Sequence, residues 1–148
     1  MRLKFVILLF TIGFFGNSLF AQMSPPDFNA IEKAGLIKYN SDKVIRKLKI
    51  LEDSDKRLVS KHIQTYNQEM GNLLLIYGNT LENLENEFDK NVKIAIQNRD
   101  RSQMNGIKGK IEKIIPPIQL EVQKYKDVLN EGLKVLLTEK QYKKWLSY

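Results

Sequence analysis

The 148-residue chain contains no cysteine, one histidine and four prolines. Without a thiol there is no disulfide, no thiolate metal site, no thiol nucleophile and no lipid-modified N-terminal cysteine. A lone histidine, His62, sits beside Leu58, Val59 and Tyr66 at helical spacing and reads as a packing residue. Helical di-metal sites pair glutamates with Glu-x-x-His from facing helices, and that histidine is missing. The acids Glu82, Glu85, Glu87 and Asp89 therefore read as a solvated face. No glycine-rich phosphate loop follows a strand, and no nucleophile elbow is present. Alternation of apolar and polar residues never runs far enough to make a sheet. The expectation is an all-α protein that is not an enzyme and carries no cofactor.

What is present begins with Arg2 and Lys4, an apolar run over residues 5–15, and small or polar residues down to Ala21. This is the layout of a secretory signal peptide, with an apolar run short for a membrane span. Leu19 is larger than the usual pattern prefers, and an uncleaved anchor is the alternative. Cleavage after Ala21 divides the chain into a signal peptide, 1–21, and one helical domain, 22–148, in the periplasm or secreted. The formal charge of +7 then falls, because 22 basic residues remain against 17 acids. Export removes nucleic acid as the partner for that charge and leaves anionic surfaces: lipid headgroups, wall polymers or acidic polypeptide. With no disulfide available, packing alone must hold the domain.

From Val59 the apolar residues step by three or four through Ile63, Tyr66, Met70, Leu73, Tyr77, Leu81, Leu84, Phe88, Val92 and Ala95. Such steps keep one face of a helix, and about forty residues make roughly 60 Å. A second series runs Ile107, Ile111, Ile114, Ile118, Val122, Tyr125, Leu129, Leu133 and Leu136. Between them, over residues 97–109, the stripe lapses and Asn105-Gly106 supplies turn chemistry. Pro116 and Pro117 predict a kink or a broken junction near Ile115. The two stripes then face each other as a long antiparallel helical hairpin with shorter flanking helices. One flanking helix is expected from Ser24 with Pro25 at its first position, and another from Asn40 or Ser41. The acids of residues 52–55 favour the N-terminus of the long helix. A hairpin with so little to cover it leaves apolar surface over, which points to a homodimer.

Three basic clusters stand out: Lys43, Arg46, Lys47 and Lys49; Arg99, Arg101, Lys108, Lys110 and Lys113; and Lys140, Lys143 and Lys144 beside Trp145. Each is either an ordinary solvated surface or a place where charge captures a flexible acidic polypeptide and neighbouring apolar surface retains it.

The last motif is "LTEKQ", residues 137–141. Thr138 and Gln141 have the spacing of a capping box, with Leu137 and Tyr142 as its hydrophobic staple. The same five residues resemble the Leu-Thr-x-x-Gln motif of the Spy/CpxP-like family of small periplasmic proteins. That family carries the motif twice; here one copy is recognisable. The resemblance implies an exported helical hairpin, dimeric and cradle-shaped, that binds unfolded or flexible polypeptides without ATP. It also leaves open an adaptor or structural role, docking one specific envelope protein. In either case Lys43, Arg46, Lys47 and Lys49 are the candidate client-binding patch.

Overall fold

The computed structural model describes residues 27–148, in which helix alternates with short connections and no strand forms. The signal-peptide assignment and Ser24 with its two prolines lie outside the described residues. Helix α1 is Ala30–Lys33, α2 is Ser41–Leu48, α3 is Asp53–Asn98, α4 is Gln103–Leu136 and α5 is Glu139–Leu146. The long helices α3 and α4 pack against each other as an antiparallel hairpin, with the short helices flanking it.

α1 starts later than the sequence predicts. Residues 27–29 are not helical, and Asn29 is the cap: its side chain accepts the Glu32 N–H at 2.8 Å. A carboxylate from the hairpin assists, since the Ala30 N–H donates to Glu85 Oε2 at 3.0 Å. Asn40 caps α2 in the same way, accepting from the Lys43 N–H.

α1, α2 and α3 end alike. Gly35, Lys49 and Arg99 each take left-handed backbone, at φ of 80°, 55° and 51°. Around each, one N–H reaches back three residues and the next reaches back five, the Schellman arrangement that satisfies the last carbonyls. Only the first of the three positions carries glycine.

The hairpin turn lies at residues 99–102, not at Asn105-Gly106, which fall inside α4. Arg99 stops α3, and Asp100 then holds Ser102 by accepting its N–H at 2.8 Å and its hydroxyl at 2.6 Å. Those two donors hold the Asp100 carboxyl below its ordinary pKa. A side chain folding onto its own backbone made this turn, and no glycine was needed.

α4 is not broken at Pro116 and Pro117; it runs helical from Gln103 to Leu136. Both prolines are exposed, as are Glu112 and Lys113, whose carbonyls lose their donors. Water can satisfy those carbonyls, while Ile115 and Ile118, both buried, keep the opposite face packed.

One hydrophobic core joins both stripes to Phe28, Leu36, Val44, Leu48, Leu137 and Trp145 from the flanking segments. α3 alone has 46 residues, about 70 Å of helix. Its residues 53–88 and the facing part of α4 form the root, wrapped by α1, residues 34–40, α2 and α5. Beyond Phe88, which packs on Phe28 with centroids 4.6 Å apart, the hairpin continues, among the described residues, as two helices. Val92 and Ala95 in this tip are buried but lie outside the contiguous core.

Candidate functional site

The four basic residues of the candidate patch are all exposed, but they do not form one surface. Arg46 turns toward α3, where Lys56, Arg57 and Lys61 join it around an open cleft of about 500 Å³. Asp42 and the half-buried Ile45 complete that cleft with neutral groups of α3. Lys56 is partly neutralised by Asp53 at 2.8 Å; among the described residues Arg46, Arg57 and Lys61 make no ion pair. Lys47 turns the other way and lies over the Tyr148 ring, 4.3 Å from its centroid, while its carbonyl accepts from Lys144 Nζ. Lys43 extends from the first turn of α2, and Lys49 sits at its left-handed end. The cations on α3 were legible as residues but not as neighbours of Arg46, because nothing local encodes how α2 folds back on α3.

The capping motif is built of direct hydrogen bonds. The Gln141 N–H donates to Thr138 Oγ1 at 3.3 Å, and the Thr138 N–H donates to Gln141 Oε1 at 3.0 Å. Leu137 is buried and Tyr142 half-buried against the core. This cap sets the direction of α5 and so delivers Trp145, whose indole N–H donates to Asn130 Oδ1 at 2.8 Å.

Trp145 belongs to an aromatic clasp over the root. Tyr39 meets Tyr66 at 5.3 Å, Trp145 edge-on at 5.0 Å and Tyr148 at 6.0 Å. Such pairs add about 0.5–1.5 kcal/mol each beyond the area they bury. Burial raises the Tyr66 hydroxyl to a pKa of about 12 and raises that of Tyr39, with the neighbouring phenols adding to both. Asn67 fixes the backbone here: its Oδ1 accepts the Tyr39 N–H at 2.9 Å and its Nδ2 donates to the Tyr39 carbonyl at 2.7 Å.

No family model, curated protein or solved structure matches the chain. Function must therefore be argued from the surface itself.

The acids of α3 do not converge. Glu85 caps α1, Glu87 bonds Lys110 at 2.6 Å across the tip, and Glu82 and Asp89 face water. Among the described residues no three metal-ligating side chains come together. His62 lies flat against α4: a Cβ at Gly132 would meet its Nδ1 at 2.5 Å. Gly132 thus makes room for the ring in the seam between the two long helices.

Sequence reasoning missed a second groove, of about 590 Å³, between residues 34–39 and α4. Ile37 and Leu120 stand on its rims, Tyr39, Tyr66 and Val122 line it, and Lys126 is its charged residue. The aromatic and apolar residues were visible in the sequence. The path of residues 34–40 across them was not, since that segment has no periodicity to read.

Proposed function

We propose that this protein is an exported, ATP-independent polypeptide-binding protein that works without catalysis or a bound cofactor. One observation carries the reading: large apolar side chains stand in water along a hairpin that also presents cations with no ion pair among the described residues. Leu75 is 86 % exposed, Val135 85 % and Val128 69 %, and Ile76 is exposed beside Leu75. A surface of this kind retains apolar segments without a deep pocket, while Lys43, Arg46 and the α3 cations draw in acidic ones. The likeness of residues 137–141 to the Spy/CpxP-like motif points the same way, as does the signal-peptide pattern of residues 1–21. Homodimerisation is part of the proposal, since exposed apolar side chains such as Leu75, Ile76 and Val135 are surface that a second copy can cover.

The test is light scattering of a chemically denatured or reduced client with purified protein lacking residues 1–21. Protection at substoichiometric to equimolar ratios is expected, weakened by salt and by Lys43→Gln with Arg46→Gln. Absence of protection for every client sinks the reading. One dominant crosslinked partner without client protection would establish the adaptor role in its place.

A further inference from the structure

The groove between residues 34–39 and α4 has features that an incidental surface hollow lacks. Tyr66 is 3 % exposed, yet its hydroxyl has no hydrogen-bond partner among the described residues and is not sealed from solvent. With its pKa pushed up to about 12, that hydroxyl remains a donor at any physiological pH. Lys126 is the one charged side chain lining the groove, and it makes no ion pair among the described residues. Leu120 is 67 % exposed and Ile37 48 %, one on each rim.

The backbone beside the groove selects among ligands. Asn67 occupies the N–H and C=O of Tyr39 from the α3 side. The N–H and C=O of Lys38, which stands between the lining residues Ile37 and Tyr39, have no partner among the described residues. A small amphiphile would use the apolar walls and Lys126 but leave this backbone unpaired. A polypeptide uses all three.

We propose that this groove binds an extended polypeptide segment, seating an apolar side chain between Ile37 and Leu120 and an adjacent carboxylate against Lys126, with main-chain pairing to Lys38. The assignment rests on the polypeptide-binding reading and names the chemistry of the client at one site. A single positive charge among apolar walls sets the preference for alternating apolar and acidic residues. The Tyr66 hydroxyl supplies a donor for a client carbonyl at the groove floor.

Trp145 reports on the site, because Tyr39 lies between its ring and the groove. Its emission is titrated with a short Leu/Asp peptide, the matching Leu/Lys peptide and laurate. The Leu/Asp peptide should bind, and the Leu/Lys peptide about 10-fold more weakly, the worth of one charge-assisted contact. Leu120→Ser and Lys126→Gln should each weaken the Leu/Asp peptide about 5- to 10-fold, and Tyr66→Phe about 3- to 5-fold. Leu120 and Lys126 are exposed, so those variants keep the fold, and Lys134→Gln, outside the groove, should bind as wild type does. Unchanged peptide binding by Leu120→Ser and Lys126→Gln overturns the groove but leaves the polypeptide-binding reading standing elsewhere on the hairpin. Binding of laurate without either peptide overturns the choice of ligand. If wild-type protein binds no peptide and protects no client, the groove and the functional reading fall together.

Discussion

At the root, α3 and α4 are wrapped by α1, residues 34–40, α2 and α5; at the tip, among the described residues, they have only each other. The same apolar rhythm runs through both regions. In the root it meets side chains on several sides, so Met70, Leu81 and Leu133 are sealed. In the tip it meets one partner helix, and the stripe residues Val92 and Ala95 are less completely sealed, at 6 % and 9 % exposed. An amphipathic stripe specifies which face is apolar, but the number of elements that cover it sets how much stability results. The tip should open more readily than the root, within one folded chain.

The largest effect should come from truncating matched residues in the two regions. Leu133→Ala in the root should cost about 2–5 kcal/mol, because surrounding elements cannot collapse into the cavity. Val92→Ala in the tip should cost about 1–2 kcal/mol, since two helices can close up and little beyond transfer free energy is lost. Urea denaturation of both variants measures the difference. Equal losses would mean that the sheath around the root contributes no rigidity.

Alkaline pH should act on the root alone. Tyr66 has a folded pKa of about 12 against an ordinary value of 10.0, raised by burial first and by Tyr39 second. Its neutral form is favoured by folding, so that stabilisation is complete below pH 10 and is lost as pH rises through about 12. The wild-type Tm should fall across that window more steeply than the Tm of Tyr66→Phe, with tyrosinate absorbance at 295 nm tracking the loss. Parallel curves would show that the clasp does not bury the phenol.

Backbone handedness offers a smaller effect of opposite sign in the two regions. Gly35 holds φ of 80° at the end of α1, so Gly35→Ala should destabilise the root by about 1–2 kcal/mol. Arg99 holds φ of 51° in the hairpin turn, and Arg99→Gly should stabilise by up to about 1 kcal/mol. Thermal denaturation of the pair should move Tm in opposite directions. Near the root's far edge, Thr138→Ala removes a hydrogen-bonded cap and should cost about 1 kcal/mol. Trp145 emission should shift in that variant before global unfolding.

Much of this architecture is legible because it depends on period. The positions from Val59 to Ala95 and from Ile107 to Leu136 are buried or half-buried in nearly the order their spacing implies. The Thr138 cap is legible because its partners are three residues apart. Where local rules compete, the sequence misleads. Asn105-Gly106 has stronger turn chemistry than Asp100 with Ser102, yet the turn forms where α3 loses its stripe and Asp100 can hold Ser102. Pro116 and Pro117 predict a break, but both fall on the water-facing side and buried Ile115 and Ile118 hold the helix together. The candidate patch on α2 was read as one surface because its residues are adjacent in sequence; on a helix, Arg46 and Lys47 point to different neighbours. The groove beside Lys38 has no local signature, because it is made by a segment of irregular backbone crossing residues some 80 positions away.

The smallest effect discriminates most finely between the two regions. Glu87 and Lys110 form an ion pair across the tip at 2.6 Å, half exposed, whereas the other ion pairs among the described residues lie within single helices. An exposed pair contributes about 0–1 kcal/mol, and at 1 M salt the screening length shrinks to about 3 Å. Glu87→Gln should therefore leave the urea midpoint nearly unchanged and erase the small salt dependence of tip stability. Its visible consequence belongs in amide exchange: residues 89–112 should open faster at low salt, and residues of the root should not. If the variant speeds exchange equally at Met70 and Leu133, the two ends open as one unit. In that case the boundary at Phe88 marks a change in what covers the helices, not a change in how tightly they are held.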